Sequence, residues 1–126
     1  MKTPARRPPV SVIVPTRNVE STVTKALKSI EKQVYPIHEI IVVDNHSNDA
    51  TVRLIDAYSN TSKIPIRLTR RRENRGIGAS YNYGIKQATT DYVVLMHSDS
   101  VLQTRTELTK LIVISAELRQ IGRAHV

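Results

Sequence analysis

Val10-Ser-Val-Ile-Val14 is a β-branched run halted at Pro15, and Glu39-Ile-Ile-Val-Val43 is a second such run that ends on Asp44. Nearly every position in both is apolar, where a half-exposed strand would alternate. They therefore read as strands covered on both faces, the mark of a parallel sheet. Between them Val23, Ala26, Leu27, Ile30 and Val34 recur at helical spacing until Pro36 closes the segment. The same alternation continues outward. A helix is expected over Ala50–Tyr58, a weaker strand over Ile66–Thr69, a helix over Gly78–Ala88 and a strand over Tyr92–Met96. Thr104-x-x-Glu107 has the form of a capping box and predicts a last helix through Leu118.

The order β-α-β-α-β-α-β-α predicts an α/β fold with helices on both faces of the sheet. Right-handed crossovers leave few topologies, and strand order 3-2-1-4 is the one expected. Ligands bind such sheets outside the carboxyl ends of the strands, at the switch point. Three polar segments fall there: Pro15-Thr-Arg-Asn18, Asp44-Asn45 and His97-Ser-Asp-Ser100. The chain lacks the Gly-x4-Gly-Lys-Ser/Thr phosphate loop, and Gly76-x-Gly78 lacks the third glycine of a dinucleotide fingerprint.

The chain has 126 residues, the size of one domain. No apolar run approaches the ~20 residues of a membrane helix, and the basic start MKTPARRPP has no signal-peptide core. Cysteine is absent, which excludes disulfides and thiolate chemistry and fits a cytoplasmic protein. The net charge of +8 favours anionic partners. Arg70, Arg71, Arg72 and Arg75 cluster in one stretch, which reads either as a solvated face or as a phosphate contact. Aromatic residues are 4% of the chain, all tyrosine, too few for a single-stranded nucleic-acid platform. Residues 1–9 are expected to form a basic disordered tail and residues 10–119 the domain. Ile121-Gly-Arg-Ala-His-Val126 matches a translated sequencing adapter, so residues 120–126 are expected to be non-native and the domain truncated.

Four motifs in order resemble the family 2 glycosyltransferases of GT-A fold, across about Val10 to Leu118. Ser11-Val-Ile-Val-Pro-Thr-Arg-Asn18 resembles their opening strand and loop. Ile41-Val-Val-Asp-Asn-His-Ser-Asn-Asp49 resembles the second-strand motif written VVDNGSTD, as in the rhamnosyltransferase-like subgroup. Asn74-Arg-Gly-Ile-Gly-Ala-Ser-Tyr-Asn-Tyr-Gly84 resembles NxGxxxxxNxG, and Tyr92-Val-Val-Leu-Met-His-Ser-Asp-Ser100 resembles the strand carrying the metal-binding Asp-x-Asp.

The resemblance implies a Rossmann-like nucleotide-diphospho-sugar transferase fold and a UDP-, dTDP- or GDP-sugar donor. The acceptor it implies is a glycan or lipid-linked hydroxyl. Donor nucleotide contacts are expected from Pro15, Thr16, Asn18, Asp44, Asn74, Arg75 and Ser98. Asp44 is expected on the base, where an ionised carboxylate accepts an N–H. Asp99, with His97, is expected to hold Mg²⁺ or Mn²⁺ against the diphosphate. His97 stands where the family has the first carboxylate of Asp-x-Asp. No residue here matches the catalytic base, which the resemblance places beyond the last strand seen. The chain alone is therefore expected not to transfer sugar. His38 and His46 are expected in surface loops. Two alternatives stay open: an inactive nucleotide-sugar-binding domain, and a basic nucleic-acid-associated protein. The leading reading needs no nucleic acid. It places the protein in the cytoplasm, with association at the inner membrane face left open.

Overall fold

The structure is a computed structural model, and it describes residues 8–98, 101–102 and 112–114. Its elements are β1 (Val10–Thr16), α1 (Val23–Glu31), β2 (Ile37–Asp44), α2 (Thr51–Ser59), β3 (Ile66–Arg70), α3 (Ile77–Gln87), β4 (Tyr92–Leu95) and β5 (Ile112–Ile114). They build one sheet of order β3-β2-β1-β4-β5, parallel except where β5 pairs antiparallel with β4. The expected 3-2-1-4 core is present, with a fifth strand added at its edge.

That fifth strand corrects the helix expected from Thr104 to Leu118. Ile112, Val113 and Ile114 lie within the expected helix, yet they pair with Val94, Val93 and Tyr92. Three successive β-branched residues favour an extended chain, and a sheet edge beside β4 gives their backbone partners. The rest of that helix, residues 1–7 and 120–126 of the expected tails, and Asp99 lie outside the described residues.

Two apolar layers flank the sheet. On one face Val12, Val14, Ile40 and Val42 pack with Val23, Leu27 and Ile30 of α1 and Ile55 and Tyr58 of α2. On the other, Ile13, Ile41, Val43 and Val93 pack with Ile85 and Ala88 at the α3 end. Neighbouring positions on one strand thus serve opposite layers, which is why the middles of β1 and β2 are apolar at successive positions. α1 is shorter than expected. It ends at Glu31, and Val34 lies beyond it, 47% exposed. Tyr35 precedes Pro36 and is biased away from helical backbone.

β1 does not stop at Pro15; it pairs through Pro15↔Val43 and Thr16↔Asp44. Ile13 accepts Met96 N–H on the β4 side, while Thr16 accepts Asn45 N–H on the β2 side. In a parallel strand alternate residues face alternate neighbours, so Pro15 faces the β4 side. The β4 ladder has already ended at Leu95 there, and no hydrogen bond is lost by the missing N–H. His38, expected in a loop, lies on β2. It is the extra residue where the register shifts between Val10↔Ile37 and Ser11↔Glu39, and it stays exposed.

At the amino edge of the sheet, Glu39 is 4% exposed. Its Oε2 accepts from Ser11 Oγ (2.7 Å), Thr89 N–H (3.0 Å) and Thr89 Oγ1 (2.9 Å), and Arg67 Nη1 lies 3.5 Å from Oε1. Burial pushes its pKa up, but the Ser11 and Thr89 hydrogen bonds and Arg67 outweigh that and hold it below the ordinary value. One carboxylate thereby ties β1, β2, β3 and the α3–β4 turn. Among the described residues no helix is long and apolar enough to cross a membrane.

Candidate functional site

The carboxyl ends of β1 and β2 are laced together by side chains. Asp44 ends β2 and is 0% exposed. Its Oδ1 accepts from Thr16 Oγ1 (2.6 Å) and Ser47 Oγ (2.6 Å), and its Oδ2 accepts from Ser47 N–H (2.9 Å). A buried carboxylate needs such donors, and three of them satisfy it. Ser47 Oγ also accepts from Asn18 N–H at 2.9 Å, and Asn18 Oδ1 accepts from Asn48 N–H at 2.7 Å. Val19 N–H donates to Thr51 Oγ1 (2.8 Å), and Ala50 N–H donates to Glu20 Oε2 (3.1 Å). The loops after β1 and β2 are therefore one stitched unit. Asp49 accepts from Thr51 Oγ1 and N–H at the start of α2, and the Thr51 contacts lower its pKa.

Two further elements join this unit. Arg17 Nη1 donates to Asn45 O (2.6 Å) and His46 O (3.2 Å), clamping the loop after β2. Ser80 Oγ on α3 donates to the buried Asn45 Oδ1 at 2.7 Å. Ser80 reaches Asn45 because α3 lies close against β1 at Gly84. A Cβ built there overlaps Ile13 Cγ2 and stands 3.3 Å from Ile13 Cγ1. The glycine of the Asn82-Tyr-Gly84 pattern is thus a packing requirement, whereas Asn82 is exposed on the same helix.

The basic stretch follows β3 and borders the site. Arg71 N–H donates to Asp44 O at 2.7 Å, and its guanidinium lies 5.0 Å from the centre of the Tyr83 ring. Arg70 and Arg72 are exposed. Arg75 is exposed and bonded to Glu73 Oε1 through Nε (2.8 Å) and Nη2 (2.7 Å). Asn74 Oδ1 accepts Gly76 N–H at 3.0 Å, which shapes the turn into α3 at the left-handed Gly76 (φ 87°).

At the end of β4, Ser98 is buried and His97 is exposed, its ring edge-on to Tyr81 at 6.4 Å between centroids. Among the described residues no three His, Asp or Glu side chains converge as a metal site. His97 is the described member of the expected pair. An imidazole with a carboxylate two residues on is a mixed donor set that suits Mn²⁺ better than Mg²⁺.

The structure brings Pro15, Thr16, Asn18 and Asp44 to one place. Pro15, Thr16 and Asp44 are sealed beneath it, and Asn18 is exposed. Asn74 and Arg75 lie in the β3–α3 loop with local partners, and Ser98 and His97 lie two strands from β2. Sequence reading put Arg17 and Asn45 at this edge without a contact for either, and it missed Ser47 and Ser80. For Ser47 a signal existed, since Asp at one position and Ser three later is a common turn. The Ser80–Asn45 and Arg17–Asn45 contacts span 35 and 28 residues and leave no local signature.

A sequence profile described as Glycosyl transferase family 2 matches residues 11–114. The poly(ribitol-phosphate) beta-N-acetylglucosaminyltransferase TarS of Staphylococcus aureus is 35% identical over 99 residues, 76% of this chain and 17% of that protein. The dolichol-phosphate mannosyltransferase of Pyrococcus furiosus is 33% identical over 91 residues, 71% of this chain and 25% of that protein. The chain thus spans a quarter or less of these two relatives. Among solved structures, the mannosyltransferase PcManGT of Pyrobaculum calidifontis, in complex with GDP-Man and Mn²⁺, superposes with a TM-score of 0.75 at 32% identity. That likeness covers 81% of this chain and 30% of that one. TarS in complex with UDP gives a TM-score of 0.71 at 30% identity, over 93% of this chain and 33% of that one.

Proposed function

The chain belongs to glycosyl transferase family 2, and on that premise we propose that it is the donor-binding part of an enzyme that transfers sugar from a nucleoside-diphosphate donor. The donor is a UDP-, dTDP- or GDP-sugar, and the acceptor is a hydroxyl of a glycan or lipid-linked molecule. The observation that carries the reading is the laced carboxyl edge, where Thr16, Asn18, Asp44, Asn45, Ser47 and Ser80 form one bonded unit. A preformed rigid edge of this kind presents fixed donors and acceptors to a ligand without an ordering cost on binding.

In this reading Asn18 and the loop after Asp44 contact the nucleoside. Thr16 and Asp44 hold that loop in shape, and the Asp44 carboxylate reaches a base N–H only when Ser47 turns away. Arg75 exchanges Glu73 for a phosphate, and Asn74 and Ser98 line the diphosphate. Asp99 and His97 would hold Mg²⁺ or Mn²⁺, which would supply positive charge to the diphosphate of the leaving group. The catalytic base belongs to the remainder of the protein, so the 126-residue chain by itself transfers no sugar. In this reading the reaction takes place in the cytoplasm, and association with the inner membrane face stays open.

Calorimetry with UDP, dTDP and GDP, with and without Mn²⁺, tests the reading on the parent chain and on Asp99→Ala. Metal-dependent binding that the substitution weakens supports it. Binding indifferent to metal and to the substitution favours an inactive nucleotide-sugar-binding domain, the alternative that His97 raises. Salt-sensitive DNA binding without nucleotide binding overturns it.

A further inference from the structure

His46 has left-handed backbone, φ 60°, in the middle of the laced loop. Left-handed backbone is the region where glycine is favoured and a side chain is strained. Among the described residues the other non-glycine case is Asn18, φ 49°, and there the side chain repays the conformation by accepting Asn48 N–H. His46 has no such return. Its carbonyl is held by Arg17, but its imidazole is exposed and makes no hydrogen bond or ion pair among the described residues. The two residues beside it, Asn45 and Ser47, are buried and fixed by Ser80 and Asp44. A strained, rigidly held backbone that carries an unemployed ring at a site edge is where strain points to a ligand.

Position narrows the ligand. Adjacent strands are about 4.8 Å apart, so the end of β2 lies about 10 Å across the edge from the end of β4, with β1 between. On the donor-site reading above, which sets the phosphates at β4, a nucleoside diphosphate that runs along this edge across β1 has its base over β2, beside His46.

We propose that the His46 imidazole packs against the nucleobase of the donor, adding a ring contact to the backbone and amide contacts of the laced loop. The proposal rests on the donor-site reading above. A planar imidazole and a purine or pyrimidine offer each other π faces, and such a contact tolerates more than one base. Ring stacking therefore raises affinity for the nucleoside end of the donor and leaves the phosphate end untouched.

The test is calorimetry of UDP, GDP and inorganic pyrophosphate with Mn²⁺, on the parent chain, H46G and H46N. Both substitutions suit left-handed backbone, so both fold, with melting temperatures within about 3 °C of the parent. UDP and GDP affinity falls about fivefold or more in each variant, while pyrophosphate affinity stays within twofold of the parent. UDP and GDP affinities within twofold of the parent in both variants overturn the ring contact. A pyrophosphate affinity that falls in step with the nucleotides also overturns it, because the effect is then not at the base. A parent chain that binds neither UDP nor GDP removes the donor reading itself, and the His46 contact with it. That outcome is distinct from a parent that binds and variants that match it.

Discussion

Replacing Gly84 with alanine sets two effects of opposite sign against each other. Alanine inside a helix is favoured over glycine by about 0.8–1 kcal/mol. Against this, the added Cβ falls more than about 1 Å inside the ~3.5 Å that two carbons need, at Ile13 Cγ2, and stands 3.3 and 3.4 Å from Cγ1 and Cβ. Ile13 is fully buried and β-branched, so the overlapped methyl sits one bond from a Cβ fixed to β1 and cannot swing aside. Overpacking of this kind costs about 1–3 kcal/mol, and the upper half of that range applies. The net expectation is a destabilisation of about 1–2 kcal/mol, roughly 5–10 °C in melting temperature for a domain of this size. Urea unfolding followed by circular dichroism measures it. In an Ile13→Ala background the overlapped methyl is gone, and the same Gly84→Ala change becomes neutral or stabilising by up to about 1 kcal/mol. Gly84→Ala that stabilises the parent chain would refute the close approach of α3 to β1.

Asp44→Asn replaces an acceptor of three hydrogen bonds with a group that is half donor, facing Thr16 Oγ1 and Ser47 Oγ and N–H. The expected loss is about 2–4 kcal/mol, read from the same urea unfolding, together with faster amide exchange across residues 45–48. Glu39 has its pKa depressed, so its stabilising contribution is complete above the ordinary value of 4.5 and is lost as pH falls through its lower folded value. Glu31, lowered chiefly by the Tyr58 hydroxyl, behaves in the same sense. Stability measured from pH 7 downward therefore falls below about pH 5. Glu39→Gln costs about 1–3 kcal/mol at neutral pH and makes that acid limb shallower. An unchanged acid limb in E39Q would mean that Glu39 does not carry it.

The parallel core was legible because residues such as Ile13 and Val14 serve opposite layers and must both be apolar. Strand order followed from crossover handedness, and the switch-point rule then located Pro15–Asn18 and Asp44. β5 was not legible. Thr104 and Glu107 offered a local helix signal, while Ile112–Ile114 answer to an edge of β4 that lies about twenty residues back along the chain. The site was legible as a place and not as a bonding scheme. Asp44 carries a carboxylate that sequence reading gave to a ligand, yet the fold gives it Thr16 and Ser47 first. Arg75 was given a phosphate, and in the folded chain it holds Glu73. Ser80 and Arg17 acquire roles only once α3 and the β1 loop meet Asn45, and no spacing in the chain records that meeting.

The central claim is that the laced carboxyl edge is the donor-nucleotide site. Mapping backbone amide shifts during a titration of UDP or GDP with Mg²⁺ tests it most directly. The account predicts saturable changes at Asn18, at Asn45, His46 and Ser47, at Arg71 and in the first turn of α3. Glu39, Thr89 and Thr90 at the opposite edge stay unmoved. Changes centred on the amino edge, or none at saturating nucleotide, would contradict it.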